Sequence, residues 1–300
     1  MLTIAFDTMG CAAQALLDGE GPAAEAALEA LPARLARREH LLSRFDATSA
    51  LCRLNEHGFA DAVDDVLFDA VSIAVAAARE TEGLVTPTIA DALAAAGYDR
   101  DFAAVHRDQT ATAPEARSVP EVAGIVLDPV ARSIRLPKGV RLDLGGTAKG
   151  WCADEAVAWL SQLGPALVDL GGDIAVSPGR RPWPIAVEGP HGDDLDLVLL
   201  RSGGLATSGR DHRRWRRGGV EQHHLVDPRT GLCAKTDVLT VTVLGPSARA
   251  AETAAKRVLL SGTAEGLAFI EASGLSALVV RDDGAVLRSR RFAEHTWSPS

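Results

Sequence analysis

The chain has 300 residues, 47% of them hydrophobic and 24% charged, with a formal net charge of −9. That balance suits a globular protein with a sizeable core and excludes a disordered, collagen-like or small disulfide-stapled chain. The negative charge excludes broad nucleic-acid binding, which rests on Lys and Arg neutralising phosphates. No run approaches the ~18 uncharged apolar residues that span a bilayer, which excludes membrane insertion.

The opening Met1–Asp7 has no basic start, and Asp7 breaks any apolar run, so it does not read as an export signal. Cys11, Cys52, Cys152 and Cys233 are dispersed and form no CxxC pair. They are expected to act as small buried hydrophobes in a cytoplasmic protein.

A short first strand precedes an Ala/Leu/Arg-rich helix over 23–43, which Pro32 either restarts or kinks. Val66, Leu67, Ala70, Val71, Ala74 and Val75 recur at helical spacing over 65–81, with Gly83 as the stop. Ile125–Leu127 and Ile134–Leu136 read as strands around an Asp128-Pro129 turn. Arg141–Leu144 reads as a strand ending in Gly145-Gly146, followed by a helix from Lys149 to Leu163 that Gly164 closes. Ala166–Leu170 reads as a second strand ending in Gly171-Gly172. Strands at 184–187, 196–201, 222–226 and 238–244 follow, then helices at 247–260 and 264–273 and a hairpin at Asp283-Gly284. Strands come in runs and helices segregate, which predicts an α+β fold with mixed or antiparallel sheets and flanking helices. No low-complexity linker divides the chain, so residues 1–300 are read as one compact domain.

The tetrad Asp-Leu-Gly-Gly occurs twice, at 143–146 and 169–172. Paired glycines permit positive φ and close approach of backbone to a ligand. Two such openings flanking one helix are expected to supply two walls of a pocket. Gly150 is followed by Trp151-Cys152, which fails the P-loop pattern, and GxGxxG spacing is absent. Two readings of 143–150 remain, a glycine turn and an anion site. Lys149 in the first helical turn favours the anion site, because amides converge there and a lysine placed for helix stability belongs at the other end.

Gly204–Gly209 reads as a turn carrying two hydroxyls. His224 stands before Asp227-Pro228-Arg229-Thr230-Gly231, a good tight turn, and is either a satisfied core histidine or a ligand contact and proton carrier. The basic run His212–Arg217 contains Trp215 and ends in Gly218-Gly219, so it reads as a solvated hairpin tip rather than a nucleic-acid patch.

The matching pieces are Met9-Gly10, Ser49 with Leu54-Asn55, Thr81–Thr88, Asp143–Gly150 with Asp154, and Asp169–Asp173. Ala206–Gly209, His224–Gly231 and Ser247–Gly262 complete the set. In this order the chain resembles, over nearly its whole length, the ApbE flavin transferases, the FAD:protein FMN transferases. The resemblance implies an α+β protein with an FAD cleft in its middle. FAD would be split at its pyrophosphate, and FMN linked to a Thr or Ser hydroxyl of an acceptor protein with release of AMP. Such phosphoryl transfer draws its rate from positioning and charge stabilisation, in which a divalent cation, usually Mg2+, takes part.

Carried over by position, the resemblance implies that Met9, Phe45, Leu84, Val85, Thr86, Asp143, Lys149 and Val226 line the FAD site. Phe45 stands where many members have tyrosine, and Thr86 where many have aspartate. His224 corresponds to the histidine that would act as general base or phosphate-stabilising group. The metal positions are Gly146, Glu252 and Lys256. There members read Ala-Asp-x-x-Ala-Thr, whereas this chain reads Ala251-Glu252-Thr253-Ala254-Ala255-Lys256. Two unit charges 4 Å apart interact by about 4 kcal/mol at an effective dielectric of about 20, and a divalent ion doubles that. Metal binding is therefore expected to weaken by orders of magnitude unless Lys256 turns away or loses its proton, and in a working transferase Lys256 would replace part of the metal's charge. The alternatives to a working transferase are a non-catalytic FAD-binding protein and an FAD pyrophosphatase.

Overall fold

A computed structural model describes residues 1–296. Its α-helices are α1 (Pro22–Leu42), α2 (Ala50–His57), α3 (Asp65–Glu80), α4 (Ala90–Ala95), α5 (Ala148–Leu160), α6 (Ala248–Ser261) and α7 (Thr263–Ser273). The chain falls into two compact units. The first comprises Met1–Ala36, Lys149–Asp211 and Thr236–Ser300; the second comprises Arg37–Ala148 and His212–Lys235.

The first unit is built on an eight-stranded sheet. In spatial order its strands are Leu2–Thr8, Cys11–Leu17, Ala166–Leu170, Asp173–Val176, Gly203–Gly209, Val238–Gly245, Ser276–Arg281 and Val286–Arg288, and every neighbouring pair is antiparallel. Alternation of side chains assigns its two faces. Leu205 and Leu244 join Leu167, Ile174, Val176 and Leu278 in a core covered by the hairpin Trp183–Glu188 and Asp194–Leu200. Gly204, next to Leu205, points the other way: a Cβ there would meet the Ala248 nitrogen at 2.1 Å, so α6 lies on that face. Gly203–Gly209 is thus a central strand rather than the expected turn, and its small residues admit the helix backbone. The strand Cys11–Leu17 carries no strand signal in its sequence, CAAQALL, which lacks the β-branched residues that usually mark strands. Helix α1 runs unbroken past Pro32.

The second unit contains α2, α3 and α4 with three small sheets. One joins Phe59–Ala60, Ser133–Arg135 and Val126–Asp128, one joins Val220–His223, Arg214–Arg217 and Asp108–Gln109, and one pairs Val226–Asp227 with Leu232–Cys233. The basic run does form a hairpin, with Gly218 and Gly219 at its tip in positive φ. Trp215, however, is buried and donates from Nε1 to the Ala96 carbonyl at 2.8 Å. The expected strand over 222–226 is interrupted because His223 Nδ1 accepts from the Leu225 nitrogen. The expected strand Arg141–Leu144 does not form. The Asn55 side chain and a distant backbone carbonyl take its backbone bonds instead. Asn55 Nδ2 donates to the Leu142 carbonyl at 2.9 Å, its Oδ1 accepts from the Leu142 nitrogen at 2.7 Å, and the Asp143 nitrogen donates to the Pro87 carbonyl.

Candidate functional site

In the first unit, two ion pairs converge around the start of α5. The Lys149 ammonium pairs with Asp173, whose side chain is buried, and also donates to the Leu170 carbonyl at 3.4 Å. The route from Leu170 to Asp173 turns through Gly171 and Gly172, at φ 65° and 87°, and the Gly172 nitrogen donates to Asp169. The second tetrad therefore behaves as its glycines predict. The first does not: Gly145 and Gly146 lie outside the positive-φ set, and the Gly145 nitrogen is tied to Asp143 Oδ1 at 2.7 Å.

One residue beyond Lys149, the Gly150 nitrogen donates to Glu252 Oε2 at 3.0 Å. A Cβ on Gly150 would meet the Ala248 carbonyl oxygen at 2.7 Å, so only glycine lets α5 approach α6 this closely. Glu252 is fully buried, and its Oε1 accepts from Lys256 Nζ at 3.0 Å, one helical turn on. Burial works against both charges. It raises the Glu252 pKa against the pull of Lys256, and for Lys149 the nearby Asp173 and Glu252 outweigh it and hold the ammonium above the ordinary lysine range. Asp154 fastens the two helices, accepting from the Ala248 and Arg249 nitrogens at 2.8 and 3.0 Å, while Ser247 Oγ accepts from the Ala250 nitrogen. These are N-cap bonds, satisfying donors that the first turn of α6 leaves open.

In the second unit, Arg44 forms the centre of a cluster that sequence reasoning missed. Its guanidinium lies 4.1 Å from the Phe45 ring centroid and 4.7 Å from that of Tyr98, and pairs with the buried Asp143. Tyr98 also stacks at a tilt on Trp215, and Phe45 packs against the same core as Val226. Burial raises the Tyr98 phenol pKa. Phe45, Asp143 and Val226 are thus brought into one neighbourhood. Thr86 joins them through the chain, its hydroxyl bonded to that of Thr88 while the intervening Pro87 carbonyl receives the Asp143 nitrogen. No local pattern could have flagged the cluster, because Tyr98, Asp143 and Trp215 are distant in sequence from Arg44 and from one another.

Val85 is buried, with its nitrogen donated to the Thr81 hydroxyl, and Leu84 donates to the Thr81 carbonyl. Met9, at φ 50°, forms the tip of the first hairpin in the other unit. Of the paired histidines, His223 is buried with Nε2 at 3.1 Å from the Ala234 carbonyl, and His224 is half-buried after the strand end.

A divalent ion does not fit the residues at the metal positions of the first unit. Lys256 offers donors only, and it already occupies Glu252 Oε1, where magnesium would require oxygen ligands in tight octahedral array. Among the described residues, no group of three or more His, Cys, Asp and Glu gathers as a metal site. Nor, among them, is any helix long and apolar enough to cross a membrane.

The model of the ApbE family matches residues 9–279. The chain belongs to the ApbE family. An FAD:protein FMN transferase of Treponema pallidum is 32% identical over 294 residues, covering 89% of this chain and 81% of the relative. One of Vibrio cholerae is 28% identical over 272 residues, covering 86% and 79%. The crystal structure of the ApbE protein from Thermotoga maritima superposes with a TM-score of 0.87 at 25% identity, covering 99% of each chain. The apo flavinyl transferase ApbE of Pseudomonas stutzeri, at 22% identity, shares the fold with a TM-score of 0.80 over 100% and 98%. The α+β architecture with its antiparallel sheet is that of the ApbE proteins.

Proposed function

We propose that this ApbE chain is an FAD:protein FMN transferase acting through one functional domain over residues 1–300. The observation that carries the reading is the 32% identity to a transferase of that name across 89% of the chain. The acceptor is a protein Thr or Ser. Its hydroxyl oxygen attacks the phosphorus on the flavin side of the FAD pyrophosphate, the bridging P–O bond breaks, and AMP leaves with the bonding electrons. His224 takes the hydroxyl proton or stabilises the phosphate. Lys149, held by Asp173, supplies positive charge beside phosphate oxygens. Met9, Phe45, Leu84, Val85, Thr86, Asp143 and Val226 are the proposed FAD contacts. Magnesium, which the family resemblance implies, does not fit beside Glu252, because Lys256 holds that carboxylate.

The test incubates the protein with FAD and a threonine-bearing acceptor peptide and follows both by mass spectrometry. An FMN adduct on the peptide is expected, and His224→Ala should slow its formation by about 100-fold or more. Free FMN and AMP without adduct would replace the reading with hydrolysis. Intact FAD would leave a binding protein.

A further inference from the structure

Four charged side chains of the first unit make direct ionic contact in pairs, Lys149 with Asp173 and Lys256 with Glu252. Their formal charges sum to zero. The carboxylate side chains are 2% and 0% exposed, whereas the lysine side chains retain 19% and 14%, so the lysines are the more exposed members of this cluster. A divalent ion added here would leave two uncompensated positive charges in a buried setting and would have to displace an ammonium from Glu252. Buried charge is tolerated only when paired. Replacing Lys256 by a neutral residue would leave the cluster one charge negative, the condition that invites a metal ion.

We infer that this protein carries the cation of its phosphate site as a side chain: Lys256, anchored by Glu252, occupies the place of a divalent ion, and FAD binds without metal. The inference deepens the proposed function and rests on it for the identity of the ligand. Glu252 is then an anchor rather than a metal ligand, and its burial serves to fix the ammonium. Two lysines present donors to phosphate oxygens, and neither requires exchange of an ion during turnover.

Two titrations decide the matter. In the first, Mn2+ is added to the full-length protein and followed by electron paramagnetic resonance, alongside Glu252→Gln. No Glu252-dependent binding is expected up to about 1 mM. In the second, FAD affinity is measured by calorimetry in EDTA and again in magnesium, for the wild type, Lys256→Met and Lys256→Arg. Equal wild-type affinities in both buffers are expected, with about tenfold or greater loss in Lys256→Met and recovery in Lys256→Arg. Stoichiometric Mn2+ binding abolished by Glu252→Gln would overturn the inference, as would wild-type affinity in Lys256→Met. The wild-type measurements stand even where a variant fails to fold. Flavin transfer that needs added magnesium, with Mn2+ held at Glu252, would sink this inference and leave the proposed function in place. Metal-free FAD binding that depends on Lys256, without transfer to any acceptor, would do the reverse.

Discussion

At the residue scale, the lysine after the first glycine tetrad is legible in sequence as an anion-binding group, but its anchor is not. Asp173 lies outside the repeated tetrad by one position, and only the turn through Gly171 and Gly172 reveals that it serves Lys149. Removing one member of a buried ion pair strands the other, which costs about 3–5 kcal/mol. Lys149→Met should therefore destabilise the protein by that amount in urea unfolding, and adding Asp173→Asn should recover part of it. A loss below about 1 kcal/mol in the single variant would mean that Asp173 is solvated or protonated. Lys256 was legible as a departure from the family pattern; that it pairs with Glu252 follows from the i, i+4 spacing on one helix face.

At the scale of elements, helices with a clear period were readable and short pieces were not. The runs over 65–81 and 247–260 appear as α3 and α6 nearly as expected. Arg141–Leu144 has the apolar alternation of a strand but spends its backbone bonds on Asn55 and Pro87, partners far away in sequence. Helix α6 carries Glu252 and Lys256, and Asp154 of α5 caps it. Asp154→Ala should cost about 1–2 kcal/mol through the lost cap. Burial raises the Asp154 pKa above its ordinary 3.8, against the Arg249 and Ala248 N–H groups that lower it. The folded state thus binds this proton more tightly than the unfolded chain. Its contribution is complete below the ordinary value and is lost as pH rises through the folded one. Asp154→Asn should consequently gain more stability than the wild type on going from about pH 4 to about pH 7, as read by urea midpoints at each pH. A smaller gain would mean that the folded state binds the Asp154 proton less tightly than the unfolded chain.

At the scale of the whole molecule, the sequence read as undivided, and composition offered no hint of two units because no linker separates them. Each unit is assembled from separated stretches of chain. The second draws Trp215 and Val226 from His212–Lys235 into the aromatic core around Tyr98, and the strand Asp108–Gln109 finds its partner in the same stretch. A fragment limited to residues 37–148 should therefore show no cooperative urea transition, and a sharp one would mean that this core closes without Trp215. The first unit poses a related problem during synthesis. Its opening hairpin, Leu2–Thr8 with Cys11–Leu17, meets its neighbour Ala166–Leu170 only after all of Arg37–Ala148 has been made. Sheets closed by such distant segments form slowly. The nascent chain must carry an uncovered strand edge through much of translation, a window in which chaperones and stray partners compete for it.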